Sequence, residues 1–98
     1  MKDVQQKTLE KGVETTFEMT LSRTQFLVKN FTEDSITVRL GDNETVSVIG
    51  AGSWERVFNN VIVHDKDTIF QENYADSTKI VKITSVAGGM VEVASVDF

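Results

Sequence analysis

Apolar residues recur at every second position along much of this chain, which is the period of a β-strand with one buried face. Residues 15–21, TTFEMTL, set Phe17, Met19 and Leu21 on one face and Thr16, Glu18 and Thr20 on the other, and predict a strand. Residues 24–31, TQFLVKNF, differ: Phe26 and Val28 share one face, while Leu27 and Phe31 flank Lys29 on the opposite one. A strand apolar on both faces is predicted to be central, and either covered on both sides or in contact with a neighbour. Ile36, Val38 and Leu40 then alternate with Thr37 and Arg39, residues 45–49 form a third short run, and residues 54–58 place Trp54, Arg56 and Phe58 opposite Val57.

Polar clusters punctuate these runs. TEDS at 32–35, GDNET at 41–45 and GAGS at 50–53 carry the Gly, Asp and Asn residues that tolerate positive φ or bond their own backbone. Strands joined by connections this short run antiparallel, because a parallel return needs a crossover of about a dozen residues; GAGS reads as a hairpin connection. Asn59 and Asn60 break the pattern before a strand at 61–63, and the polar segment HDKDTIFQENYADST reads as a long loop holding a short strand at 68–70. Strands at 79–84 and 90–96, separated by Ala87-Gly88-Gly89, finish the chain. Ahead of all of these, residues 1–14 hold only Val4, Leu9 and Val13 as apolar positions after the first residue. Val4 and Leu9 are five apart, which fits neither period, so this segment reads as a polar arm or frayed helix turn that stops at Gly12. The prediction is an all-β fold: a polar N-terminal arm over 1–14, then one domain over 15–98 that is an antiparallel β-sandwich or small barrel of about eight strands. Residues 26–58 are its antiparallel centre.

Composition narrows the chemistry. Ninety-eight residues close one core. The chain has no cysteine, which removes disulfides, thiolate nucleophiles and cysteine zinc sites together. It also has no proline, one of the devices that blunt sheet edges, so its edges need charged side chains, closure or pairing with another chain. A net charge of -5 with scattered Lys and Arg argues against a nucleic-acid or anionic-membrane partner, and no apolar run nears the roughly 18 residues of a membrane span.

Catalysis has little to work with. His64 is the one histidine, no G-x-S-x-G elbow accompanies it, and the phosphate-binding glycine fingerprints are missing; the expectation is a protein that is not an enzyme and takes no cofactor. Three acidic groups, Glu33 with Asp34, Asp42 with Asn43 and Glu44, and His64 with Asp65 and Asp67, hold the oxygens that calcium wants. The first two fall at opposite ends of the strand 36–40, so solvated turns and no metal are expected. Among the aromatics Trp54, Phe58, Phe70 and Tyr74, Phe58 is assigned to the core, whereas Trp54 is open to either core or contact. Trp54, Arg56 and Tyr74 are the candidate contacts for a ligand or partner.

The order LVKNFTEDSITVRLGD, then VIGAGSWERVFNN, a Thr-rich strand and a final GGMVEVASVDF resembles small structural proteins of tailed bacteriophages and prophages. There a segment of the form apolar-x-N-x-T-x-x-x-I-x-V leads through a Gly/Ser turn to a strand and ends in a β-hairpin. The resemblance covers about residues 26–98. It implies a virion component, such as a capsid-decorating, head-fibre or tail-associated module, that forms homo-oligomers or binds other virion proteins by symmetric contacts. Such a protein resides in the virion, or is soluble in the host cytoplasm before assembly. An extracellular sandwich binding carbohydrate or protein through Trp54 and the acidic turns is the alternative from a different class.

Overall fold

A computed structural model describes residues 3–43, 46–64 and 71–95, with 60–64 and 71–75 as backbone. No helix occurs among them. Strands β1 (Val4–Leu9), β10 (Gly89–Ser95), β3 (Gln25–Asn30) and β6 (Trp54–Phe58) form sheet I in the order β1-β10-β3-β6. Strands β2 (Thr15–Arg23), β9 (Thr78–Ser85), β4 (Ile36–Leu40) and β5 (Ser47–Ile49) form sheet II in the order β2-β9-β4-β5. All pairings are antiparallel. The two sheets pack face to face as a sandwich, and β7 (Asn60–His64) with β8 (Gln71–Ala75) makes a separate two-stranded ribbon between β6 and β9.

Alternation drives the packing. Phe17 and Met19 of β2, Phe26 and Val28 of β3, Ile36, Val38 and Leu40 of β4, Val81 and Ile83 of β9, and Val91 and Val93 of β10 are all buried between the sheets. Each sheet is assembled from strands distant in sequence: Val28 lies opposite Val93, and Val38 opposite Ile83. The connections explain this. Only β4 and β5 are consecutive strands that pair within one sandwich sheet; the links β1–β2, β2–β3, β3–β4, β5–β6 and β9–β10 each carry the chain from one sheet to the other.

Three sequence expectations change here. GAGS is a corner between sheets, joining β5 to β6, and the glycines at 88 and 89 turn a second such corner from β9 into β10. Sharp reversals need positive φ, as at Gly52 (71°) and Gly88 (73°), whether the next strand pairs with the last or crosses above it, so turn chemistry alone does not separate the two. Second, residues 4–9 of the expected polar arm form β1, paired with β10 from Val4↔Ala94 to Leu9↔Gly89. An edge strand that buries only Leu9 needs no apolar alternation, which is why it does not register as a strand in the sequence. Third, the strand in the polar loop is Gln71–Ala75, while the expected position 68–70 lies outside the described residues.

β1 closes one side of the sandwich with alternate polar side chains. Lys7 Nζ donates to the Thr16 carbonyl at 2.9 Å and Gln5 Nε2 to the Glu18 carbonyl at 2.7 Å, while the Asp3 carboxylate accepts from the Thr20 N–H. Residues 3, 5 and 7 thus occupy the outer backbone edge of β2, which would otherwise be a template for another strand. Lys7 also sits 4.9 Å from the centre of the Phe17 ring, a cation–π contact.

Candidate interaction surface

With residues 91 and 93 of β10 and 26 and 28 of β3 directed into the core, their neighbours point outward. The register then fixes which side chains share the outer face of sheet I. One row across the strands is Gln6, Glu92, Lys29 and Trp54; the next is Val4, Ala94, Leu27 and Arg56. On the other side of the first row lie Thr8, Met90 and Phe31, the last tied in by its N–H to the Met90 carbonyl at 3.1 Å. Phe58, opposite Gln25, completes the face.

This face is largely apolar and uncovered. Val4, Phe31, Trp54, Phe58 and Met90 are 47, 53, 67, 51 and 39% exposed, and they are five of the nine large hydrophobic residues exposed among the described residues. The outer face of sheet II is mainly polar, with Thr16, Glu18, Thr37, Arg39, Lys82 and Thr84 around Ile80 and the exposed edge residue Val48, and Arg39 is bound to Glu14 at 2.9 Å. The large exposed aromatics and Met90 thus gather on the sheet I face, and contiguous exposed apolar surface marks interaction sites.

The polar row crossing the apolar face is self-contained. Gln6 Nε2 donates to Glu92 Oε1 at 2.8 Å, and Lys29 Nζ lies 3.4 Å from Glu92 Oε2. The Gln6 hydrogen bond, with Lys29 adding to it against partial burial, holds the Glu92 carboxyl below its ordinary value of 4.5. A depressed carboxylate stabilises the fold fully above its unfolded pKa and loses that contribution as pH falls through the folded one. The stability gap between the native chain and Glu92→Gln is therefore expected to close as pH is lowered below 4.5; denaturation midpoints measured from pH 7 to pH 3 check this, and a gap independent of pH would contradict it.

The candidate residues separate on this frame. Trp54 and Arg56 stand together on the outer face of β6, both exposed. Tyr74 is opposite Val61 in the ribbon, and its side chain lies outside the described residues. Phe58, assigned to the core from sequence, is exposed: Val57 is the inward residue of β6 at 4% exposure, and the period of two sends Phe58 outward with Trp54. Asp34 precedes β4 and Asp42 follows it, so the acidic turns are at opposite ends of that strand; Glu44, Asp65, Asp67 and Phe70 lie outside the described residues. Val4, Met90 and the Gln6–Glu92–Lys29 row are the part of the surface that the sequence did not yield. Its one legible trace was the second apolar face of residues 24–31.

On the side away from β1, a cleft of about 210 Å³ opens between the sheet edges, with Val38, Leu40 and Val57 at its apolar floor and Ser47 and Glu55 beside it. Among the described residues no group of three or more His, Cys, Asp or Glu is arranged to hold a metal ion. Comparison of the chain with models of known protein families, with curated proteins and with solved structures finds no match.

Proposed function

We propose that this chain is a non-enzymatic assembly module of a tailed-phage or prophage virion, a capsid-decorating, head-fibre or tail-associated component that docks other virion proteins through the outer face of sheet I. The observation that carries the docking role is the apolar row set of that face, with Phe31, Trp54, Phe58 and Met90 exposed beside a sandwich whose core is already filled. The virion setting rests on the resemblance of residues 26–98 to phage structural proteins. Large aromatics dominate interface energetics when they enter a partner's pocket, and Trp54 is the largest and most exposed aromatic among the described residues.

Co-sedimentation of the tagged chain with virions from the cell that encodes it tests this. The native chain is expected to pellet with particles, and Trp54→Ala, which removes an exposed ring without touching the core, is expected to weaken that binding by about tenfold or more. A second reading, a carbohydrate- or protein-binding sandwich, draws on the same exposed Trp54 beside Arg56. Quenching of Trp54 fluorescence by soluble glycans with no particle binding would replace the first reading by the second.

A further inference from the structure

We propose that the outer face of sheet I takes a second copy of this chain, packed face to face about a two-fold axis that runs parallel to the strands along the line between β3 and β10. The proposal rests on the reading of this face as a docking surface and names its occupant and geometry: the virion protein docked there is a further copy of this chain, one already carried by the particle. β3 and β10 are the two middle strands of the four, so the axis passes through the centre of the sheet. Rotation about it keeps each row in place and exchanges its ends. Glu92 then lies over Lys29 of the second copy and Lys29 over its Glu92, which turns two ion pairs of 3.4 Å into a closed square of alternating charge. In the flanking rows Met90 meets Phe31 of the other copy, and Ala94 meets Leu27, each twice. Sheets stacked with their strands within about 30° of each other are an ordinary packing.

The charge pattern selects this axis over the other in-plane choice. A two-fold running across the strands through the same row would set Glu92 on Glu92 and Lys29 on Lys29, and like charges facing each other in an interface are strongly unfavourable. The size of the face sets the strength. Four strands about 4.8 Å apart and six residues at about 3.4 Å each make a face of about 400 Å² in projection, about half of the 800 Å² per partner in a stable complex. The dimer is therefore weak: it forms in concentrated solution, or where other contacts already hold copies together, and separates on dilution.

Complementary charge reversal tests it. Sedimentation velocity of the native chain from about 10 μM to about 1 mM is expected to show a monomer passing to a dimer. Lys29→Glu alone and Glu92→Lys alone each set like charges over one another twice, and each is expected to weaken self-association at least about tenfold. An equimolar mixture of the two is expected to associate again, because every facing pair is then of opposite sign; a merely structural role for the row would give no such rescue. Phe31→Asp, which leaves the ion pair intact and changes a residue 53% exposed, is expected to abolish the dimer, and it decides the matter if either charge reversal fails to fold. A native chain monomeric at about 1 mM, or reversed variants that do not rescue each other, would overturn the proposal. Particle binding measured on the same samples keeps the two ideas apart: a monomer that pellets with virions sinks self-pairing alone, and a dimer that never does so sinks the virion reading alone.

Discussion

Asn30→Ala is expected to cost about 3 kcal/mol, a large part of the roughly 5–15 kcal/mol that holds a domain of this size folded. Asn30 is 1% exposed and ends β3 where the chain leaves sheet I. Its Nδ2 faces the carbonyls of Asp34, Ile49 and Gly50 at 2.8, 3.0 and 3.1 Å, and its Oδ1 accepts from the Thr32 N–H at 2.8 Å. Thr32 Oγ1 lies 2.7 Å from both Asn30 Oδ1 and the Asp34 carbonyl. One side chain thus pins the β3–β4 crossing to the β5–β6 corner. Removing it leaves a buried amide and buried carbonyls without partners, each worth about 1–3 kcal/mol when orphaned. Asn30→Asp is expected to be no better, since it deletes the donors and brings a charge into a site built to receive an amide. Urea denaturation checks both variants: the midpoint is expected to fall with an unchanged slope, and a loss below about 1 kcal/mol would show that the network is dispensable.

That network also gives physical content to the pattern apolar-x-N-x-T-x-x-x-I-x-V. In this chain it runs from Val28 through Asn30 and Thr32 to Ile36 and Val38, and every one of these five residues is buried. The pattern encodes how a chain leaves one sheet, bonds its turn to a buried amide and enters the next sheet with its core face inward. A likeness built on it speaks to shared architecture more directly than to shared activity. A partner can meet only what lies outside the core, and there the exposed aromatics of sheet I are the prominent feature.

Period-two alternation made β2, β4 and β9 legible as strands because each has one face in the core and a mainly polar set on the other. It placed the strand at 54–58 correctly but sent Phe58 to the wrong side, because a bulky aromatic suggests the core when a single small residue, Val57, is what enters it. Hydrophobicity identifies the two faces of a strand but does not say which is inside when the outer face is apolar for another reason. The polar alternation of Asp3, Gln5 and Lys7 was invisible for the converse reason: their stabilising partners are backbone groups of β2, which no local pattern displays. The face itself could be assembled only from the register, since Val4, Met90 and Trp54 come from three strands and Phe31 follows a fourth, spread over nearly the whole chain.

Gly89→Ala is expected to cost about 2–3 kcal/mol, and its companion variants separate the two reasons. Gly89 opens β10 at φ 121°, in the left-handed half of the map, and a Cβ there would stand 3.2 Å from Thr32 Cγ2 and 3.4 Å from Thr32 Cβ. A lower bound on the backbone cost can be read at Gly12, where φ is 70°, inside the milder left-handed helical region, and nothing lies within 4 Å of the added carbon; Gly12→Ala is expected to lose about 1 kcal/mol. The steric part runs through Thr32, whose hydroxyl belongs to the Asn30 network and whose methyl is the atom in the way. Thr32→Ser removes the methyl and keeps the hydroxyl, so Gly89→Ala made in that background is expected to cost about 0.5–1 kcal/mol less than in the native chain. Thermal denaturation of the four members of this cycle measures the coupling. Strict additivity would mean that the β9–β10 corner yields to the added methyl without disturbing Thr32, and that the Asn30 clip and this corner are independent; a positive coupling would show that they are one packed unit holding the two sheets together.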